Sequence, residues 1–326
     1  MHMAPRWVVT GGAGYIGSHI VRSLSAQGID VHVIDDFSTG KRERLPEGVT
    51  VHVANLLDQD SIRTLLAQID PEGVVHLAGK KQARESYDIP LEYWSVNVMG
   101  TVSLLNAIQE ARVRYLLFSS SCSVYGTQSG VNEESAIAPE SPYGASKAAA
   151  EMLISDVCAA SELQAVSLRY FNVIGCADFP QAHDVAADSV VPRMVNAALA
   201  GDLLPVYGVD RATPDGSCLR DYLDVRDIAD AHGLVVAALR EGHDVPSVLN
   251  ASSGEPVSVL TMAAAVNEAV ASSGTRAAGI EELPSHPADP TEIWAAQSPL
   301  LGALGWYPRH SLADSVGAHV TSVLAR

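Results

Sequence analysis

A tyrosine and a lysine lie four residues apart in Tyr143-Gly-Ala-Ser-Lys147, a spacing that places both side chains on one face of a helix. Ser121 lies 22 residues before Tyr143, at the end of a predicted strand. A phenol is a poor base at neutral pH because its pKa is near 10, and a neighbouring positive charge favours the ionised form. The three residues therefore predict a proton-transfer site in which Lys147 lowers the pKa of Tyr143.

A glycine-rich turn comes earlier in the chain. Gly11, Gly14 and Gly17 follow a predicted strand and open a helix, where glycines allow close approach to a pyrophosphate and free N–H groups offset its charge. Asp35 closes the next predicted strand, where a carboxylate binds the adenosine ribose and repels a 2′-phosphate. The pattern predicts an NAD site. The alternatives are a turn used only for packing and a solvated loop carboxylate at Asp35 or Asp36.

These residues need a sheet to position them. Short β-rich runs alternate with helical patterns over the first 120 residues, which is typical of βαβ units and a parallel sheet. Strands are predicted at Trp7–Thr10, Val31–Ile34, Val49–Val53, Val74–Leu77, Tyr115–Ser119 and Ser167–Tyr170. Helices are predicted at Ile16–Gln27, Ser61–Ile69 and Tyr93–Glu110 from apolar positions at three- and four-residue spacing.

A second, smaller region is predicted to begin near Asn172, where proline and glycine interrupt the pattern more often. Its helices are predicted at Val190–Leu199, Val225–Leu239 and Leu312–Leu324. The predicted fold class is α/β, a Rossmann-type doubly wound parallel sheet with a smaller α/β substrate-binding domain. Residues 1–172 are predicted to form the NAD-binding domain. Residues 173–326 are predicted to form mainly the substrate domain, with some segments returning to the first domain and a cleft between the two.

Composition limits the classes of partner. The 326 residues carry a net charge of −17, a field that repels nucleic-acid backbones and anionic lipid surfaces. No apolar run has the length of a membrane-spanning helix, and the N-terminus lacks the pattern of a signal peptide. The four cysteines lie far apart without metal-ligand spacing. These features predict a soluble cytoplasmic protein that binds neither nucleic acid nor membranes and has no metal centre.

Further motifs extend over nearly the whole chain. They are Thr10-Gly-Gly-Ala-Gly-Tyr-Ile-Gly-Ser-His19, His76-Leu-Ala-Gly79, Asn97 with Gly100-Thr101, Ser119-Ser-Ser-Cys-Ser-Val-Tyr-Gly126, Ser141-Pro-Tyr-Gly-Ala-Ser-Lys147, Leu168-Arg-Tyr-Phe-Asn172 and the segment Asp215–His232. With them the chain resembles the extended short-chain dehydrogenase/reductase family, and within it nucleotide-sugar 4-epimerases of the UDP-galactose 4-epimerase type.

The resemblance implies a role for each matching residue. Tyr143 is the acid/base, Lys147 binds the nicotinamide ribose and Ser121 binds the reacting sugar hydroxyl. NAD contacts are implied for Gly11, Gly14, Tyr15, Ile16, Gly17, Asp35, Asn55, Leu56, Leu77, Ala78, Gly79, Lys81, Asn97, Tyr143, Lys147 and Tyr170. Substrate contacts are implied for Ser121, Cys122, Tyr143, Asn172, Ser189, Val190, Tyr207, Arg220, His286 and Asp289. In that set Tyr207 packs on the base, Arg220 holds the phosphates and Asp289 contacts the ribose.

Four positions depart from the family pattern. A second phosphate-binding arginine of the family falls at His286, and an asparagine on the diphosphate falls near Ser189, so anion capture is expected to be weaker. Asn55 stands where the family usually has an aspartate near the adenine. Ile293 replaces the larger tyrosine of stricter members near the sugar C2, which leaves room for an N-acetyl group. UDP-galactose and a specialised nucleotide sugar both remain candidate substrates.

The predicted function is therefore an NAD-dependent nucleotide-sugar 4-epimerase of the UDP-glucose/UDP-galactose type, which acts through a 4-keto sugar. Sugar 4,6-dehydratases of this fold carry Asp-Glu where this chain has Cys122 and Ser123, and that difference argues against elimination of water. A nucleotide-sugar decarboxylase and a non-catalytic NAD-sensing protein remain alternatives. The resemblance also implies a homodimer, joined through helices at Tyr93–Glu110 and Ala148–Ala160 or with those faces buried within one subunit.

Overall fold

The computed structural model describes residues 4–179, 181–186, 189–285 and 289–325. Within them, the strands of the main sheet are β1 (Arg6–Thr10), β2 (Asp30–Asp35), β3 (Thr50–Val53), β4 (Gly73–His76), β5 (Tyr115–Ser121), β6 (Gln164–Tyr170) and β10 (Val248–Ala251). They pair in parallel in the order β10-β6-β5-β4-β1-β2-β3. The chain changes direction across the sheet between β1 and β4. Ligands of open α/β sheets bind at such a switch point.

Helices cover both faces of this sheet. α1 (Tyr15–Ala26) and α8 (Val225–Arg240) pack on one face, and α2 (Gln59–Ile69), α5 (Gly100–Glu110) and α6 (Pro142–Ala159) pack on the other. Successive strand side chains point to opposite faces, so Val9 joins the core beneath α1 and its neighbour Val8 joins the core beneath α2. The predicted doubly wound α/β fold is therefore confirmed.

The smaller region has its own sheets and core. β9 (Leu219–Asp224) pairs with β7 (Asn172–Ile174), β11 (Pro256–Ser258) and β13 (Glu292–Ile293), and β8 (Leu204–Tyr207) pairs with β12 (Ile280–Leu283). α7 (Val190–Ala200), α9 (Val259–Ser272) and α11 (Leu312–Leu324) enclose an apolar core beside these strands. α10 (Pro299–Ala303) is a short helix near β10. None of the helices in the described ranges is both long and apolar enough to cross a bilayer.

One predicted helix, Tyr93–Glu110, is divided in the structure. After α3 (Ala83–Asp88), the chain forms α4 (Pro90–Tyr93), a π-helical segment at Trp94–Met99 and then α5. A π-helical segment has wider backbone hydrogen bonding, which apolar spacing in the sequence does not reveal. Such segments often occur at functional sites, and this one packs against α6, the helix that carries Tyr143 and Lys147.

Candidate active site

A cleft of about 1130 Å³ opens where the strands of the main sheet end. Its walls include the turn after β1, the ends of β4, β5 and β6, and parts of the smaller region. Most of the predicted cofactor and substrate residues therefore meet in one place. The cleft also lies at the switch point between β1 and β4, as expected for this type of sheet.

The turn between β1 and α1 is made of glycines because side chains would not fit there. Gly11 has a φ of +70°, and a Cβ on it would lie 2.7 Å from the backbone nitrogen of Ala78. A Cβ on Gly17 would lie 2.2 Å from the Gly11 carbonyl oxygen. Gly14 is the N-cap residue of α1, and it has no side chain that could accept a hydrogen bond from the first N–H groups of the helix. These N–H groups can therefore bind a phosphate, so the turn fits a dinucleotide.

Asp35 ends β2 beside this turn and is largely buried. Its carboxylate accepts hydrogen bonds from the backbone of Ala13 at 2.9 Å and of Phe37 at 2.8 Å, one on each oxygen. Burial raises the pKa of this carboxyl group, although the two hydrogen bonds oppose the rise. Each oxygen keeps a second lone pair for a ribose hydroxyl. Asn55 donates to Asp36 at 2.9 Å, so its amide is tied to the same loop.

Helix α6 carries the tyrosine and the lysine. Ser141 caps the helix, so Tyr143 lies in its first turn and Lys147 follows one turn later. Lys147 is buried and donates through Nζ to the Ser119 carbonyl oxygen at 2.9 Å. Ser121, the last residue of β5, lines the same cleft as Tyr143, and its hydroxyl donates to Ser123 at 3.2 Å. The structure thus brings the three predicted catalytic residues together.

Burial dominates the pKa values of this group. Burial raises the pKa of Tyr143 well above its ordinary value, and the polar Ser121 side chain offsets part of that rise. It lowers the pKa of Lys147 to about 8, while Glu151 opposes the shift. At pH 7 the lysine is therefore mainly an ammonium and the tyrosine a neutral phenol. Burial, and not Lys147, therefore dominates the pKa of Tyr143 in this structure, where the Lys147 ammonium donates to the Ser119 carbonyl.

Most predicted NAD contacts line the cleft, but Asn97 does not. Its amide oxygen accepts from the Lys80 N–H at 2.8 Å, and its amide nitrogen donates to the Lys80 carbonyl and to Ser146. Asn97 therefore shapes the cleft wall from behind. Lys81 lines the cleft with its Nζ 3.5 Å from Asp184. The other predicted NAD contacts on the wall are Tyr15, Ile16, Leu56, Leu77, Ala78, Gly79 and Tyr170.

The predicted substrate contacts lie on the same walls. Ser189 donates its hydroxyl to Asp184 at 2.8 Å. Arg220 donates through Nη1 to the Leu219 carbonyl at 2.8 Å. His286 lies outside the described residues. The remaining predicted contacts that line the cleft are Cys122, Asn172, Val190, Tyr207 and Asp289, together with Ile293.

Arg84, in the first turn of α3, also enters the cleft and is absent from the predicted site residues. Its guanidinium group contacts both carboxylate oxygens of Asp289, with Nε 3.3 Å from Oδ1. Its centre lies 5.2 Å from the Tyr207 ring, and Arg193 lies 5.4 Å from the same ring. Two arginines therefore add positive charge to the cleft of an acidic protein. A basic residue soon after the β4 strand was the signal that could have identified Arg84.

Known proteins resemble this chain over most of its length. The sequence profile of the NAD dependent epimerase/dehydratase family matches residues 7–251. The UDP-glucose 4-epimerase of Azospirillum brasilense is 35% identical over 325 residues, which cover 96% of this chain and 90% of the relative. The structure of UDP-glucose 4-epimerase from Brucella ovis in complex with NAD has a TM-score of 0.89 at 32% identity and covers 98% of each chain.

A second solved structure holds a nucleotide sugar as well. It is UDP-glucose-4-epimerase from Stenotrophomonas maltophila with bound NAD and formylated UDP-arabinopyranose. Its TM-score is 0.90 at 31% identity, with 99% of this chain and 98% of that chain covered. The glycine turn, the Tyr143–Lys147 pair and these similarities lead to one assignment: the chain belongs to the NAD dependent epimerase/dehydratase family.

Proposed function

We propose that this protein is an NAD-dependent nucleotide-sugar 4-epimerase whose substrate is a UDP-hexose. One observation carries the proposal: a single cleft contains the dinucleotide turn, the buried Tyr143–Lys147 pair, and Tyr207, Arg220 and Asp289. Similarity to proteins named UDP-glucose 4-epimerase, and to one that holds a UDP-linked sugar, supports it.

Different residues around the cleft bind the cofactor and the substrate. The first N–H groups of α1 hold the pyrophosphate of NAD, and Asp35 binds its ribose hydroxyls. Arg220 holds the diphosphate of the substrate, because a guanidinium group matches phosphate oxygens in charge and shape. Tyr207 packs on the base and Asp289 binds the nucleotide ribose. Cys122 and Ile293 offer mainly apolar surface, which leaves the sugar free to turn over.

The chemical step is a reversible oxidation at C4 of the sugar. When bound, NAD would supply the acceptor and donor of the hydride, and its oxidised form would add positive charge to the site. Tyr143 takes the proton of the C4 hydroxyl as the C4–H electron pair leaves, which converts the alcohol to a ketone. Lys147 stabilises the resulting phenolate with its ammonium charge, and Ser121 holds the reacting oxygen by a hydrogen bond. Tyr143 returns the proton when the hydride adds to the opposite face of the turned sugar.

The start of the segment after β5 argues against a 4,6-dehydratase. Cys122 and Ser123 begin a short helical turn there. Burial raises the pKa of the Cys122 thiol to about 12, so this group neither removes nor supplies a proton at neutral pH. Elimination of water lacks its acid and base at these positions. A purely NAD-sensing protein, in turn, has no need of the buried Tyr143–Lys147 pair.

Replacement of the phenol tests the proposed reaction. Tyr143→Phe is expected to abolish interconversion of UDP-glucose and UDP-galactose while NAD stays bound, because only the proton-transfer oxygen is removed. Tyr307→Phe, at an exposed tyrosine distant in sequence, is the matched control. Product analysis with UDP-glucose, UDP-N-acetylglucosamine and dTDP-glucose, together with absorbance near 340 nm, measures the outcome. Wild-type rates in Tyr143→Phe, or no product from any of these sugars with the unmodified enzyme, would overturn the proposal.

The protein is further proposed to act as a homodimer. Exposed apolar side chains lie on α4, on the π-helical segment and on α6, and they are Leu91, Trp94, Met99 and Met152. Burial of such a surface against a second copy removes apolar area from water. Met152→Glu is expected to shift the molar mass from dimer to monomer in light scattering. A monomeric wild-type protein would contradict this part of the proposal.

A further inference from the structure

A buried ion pair lies behind the active-site lysine. Glu151 on α6 accepts hydrogen bonds from Nε and Nη2 of Arg169 on β6, and the first of these is 2.9 Å long. The side chains are 10% and 5% exposed, respectively. Glu151 follows Lys147 by four residues, so the two lie on one face of α6. The pair is thus one helical turn away from the lysine of the catalytic group.

The same carboxylate is bound to the strand that carries the catalytic serine. Ser120 donates its hydroxyl to Glu151. Ser120 stands between Ser119, whose carbonyl accepts from Lys147, and Ser121. It also lies opposite Arg169 in the pairing of β5 with β6. Glu151 therefore ties α6 to the strand end on which Ser121 lies.

Arg169 extends this network away from the cleft. Its Nη1 donates to the Tyr125 hydroxyl at 2.8 Å, and that hydroxyl donates to the Asn250 amide oxygen on β10 at 2.8 Å. The centre of the guanidinium group lies 4.9 Å from the Tyr125 ring. Because a buried carboxylate without a partner would be costly, Arg169 is what makes the charge on Glu151 tolerable at this depth.

Glu151 differs in charge from the other groups around Lys147. On α6, Tyr143 and Glu151 lie near the lysine; β5 contributes the Phe118 ring, 4.7 Å from Nζ, and the Ser119 carbonyl. β4 contributes His76, whose pKa is lowered to about 3 by burial and by Lys147, so it is neutral. β6 contributes Tyr170, a phenol whose pKa burial raises to about 12, and Arg169. Among these described groups, Glu151 is the anion.

We propose that Glu151 is a positioning residue for epimerisation, which keeps Lys147 protonated and holds the Ser121 strand end against α6. The inference rests on the proposed function, since it concerns the lysine that supports the Tyr143 phenolate. Burial lowers the pKa of Lys147 to about 8 even though the Glu151 charge opposes this shift. Removal of the Glu151 charge would leave the effect of burial on Lys147 unopposed, which favours the neutral amine.

Glu151→Gln is the variant that separates charge from packing. The amide has the size of the carboxylate and can still accept hydrogen bonds, but it carries no charge. Because Lys147 then loses its proton at lower pH, the alkaline limb of the kcat profile is expected to move down by about one pH unit. KM for the nucleotide sugar is expected to change little. Asp156→Asn is the control, because it removes the same charge from an exposed position of the same helix.

The protonation of Lys147 can be measured without turnover. The chain has only four lysines, Lys41, Lys80, Lys81 and Lys147, so lysine labelled with ¹³C at Cε gives a simple NMR spectrum in the NAD-loaded enzyme. Lys147→Met assigns the signal. We expect its titration midpoint to fall by about one pH unit in Glu151→Gln and to stay unchanged in Asp156→Asn. Glu151→Gln combined with Arg169→Gln removes both charges and guards against poor folding of the single variant.

The NMR titration and the kcat profile together distinguish a positioning role of Glu151 from a purely structural one. A lowered Lys147 midpoint with a matching shift of the kcat profile, in the single or the double variant, supports the proposal. An unchanged midpoint, or a loss of activity that only follows the folded fraction, overturns it and leaves Glu151 a purely structural residue. Absence of epimerisation in the unmodified enzyme would instead overturn the proposed function, because the NMR titration does not depend on turnover.

Discussion

Replacement of Gly17 by alanine tests whether the glycine turn is set by steric contact. The added Cβ would lie 2.2 Å from the Gly11 carbonyl oxygen and 2.8 Å from the Gly12 Cα. The first distance is roughly 1 Å short of an ordinary contact, and the atoms it meets are backbone. The turn must therefore move, whereas a clash with the end of a flexible side chain could be relieved locally.

The expected magnitude follows from two opposing effects. Overpacking against a rigid neighbour costs about 3 kcal/mol, and alanine in a helix gains about 1 kcal/mol over glycine. For a chain of 326 residues, the net loss of about 2 kcal/mol corresponds to a fall in Tm of roughly 3 °C. Displacement of the turn should also remove one hydrogen bond to a phosphate, worth about 1.5 kcal/mol, so that NAD binds about tenfold more weakly.

Gly317→Ala is the matched control, because Gly317 also lies within a helix and its Cβ would meet nothing within 4 Å. This variant is expected to be about 0.5–1 kcal/mol more stable than the unmodified protein. Thermal unfolding followed by tryptophan fluorescence, and calorimetric titration with NAD, compare the two variants. If Gly17→Ala matched Gly317→Ala in both Tm and NAD affinity, the steric account of the turn would be refuted.

Two further predictions concern substrate affinity and acid stability. Arg84→Gln is expected to weaken UDP binding about tenfold, because a charge-assisted contact is lost. Binding of uridine to this variant and binding of UDP to the control Lys80→Gln are expected to change little. Equal affinity of Arg84→Gln and the unmodified protein for UDP, measured by calorimetry, would count against the prediction. The free energy of unfolding is expected to fall below pH 6.5, by up to about 1.4 kcal/mol per pH unit for each buried histidine. The reason is that the pKa of each histidine is lower in the native state than in the unfolded state, so unfolding takes up protons. The pKa falls to about 4, 3 and 4 at His19, His76 and His232, and equal urea midpoints at pH 7.5 and 5.5 would contradict this.

Much of the main sheet could be predicted because its elements are long and regular. Buried parallel strands such as β1 are continuous apolar runs, and α1 shows helical spacing, so both appear in the sequence. α9 is rich in alanine and apolar residues on several sides, which obscures its spacing, and it was missed. β10 was missed for another reason, since Asn250 interrupts its short apolar run in a region where proline and glycine already break the pattern.

The active site was predictable where residue type determines the chemistry. Tyr143, Lys147 and Ser121 could be grouped from spacing and strand ends alone. The part played by Asn97 could not, because its amide is directed to Lys80 by a π-helical segment that no pattern reveals. The contact of Arg84 with Asp289 joins residues more than two hundred positions apart, and only the folded chain places them together.

The edge position of β10 has a consequence for synthesis of the protein. β6 borders β5 on one side, and its other side is filled only by residues 248–251. A nascent chain that has emerged only as far as residue 172 therefore presents β6 as an open edge, to which other chains could add. The last partner arrives after nearly eighty more residues have been translated, so the sheet is completed late, and no single cut would release it as an independent fragment.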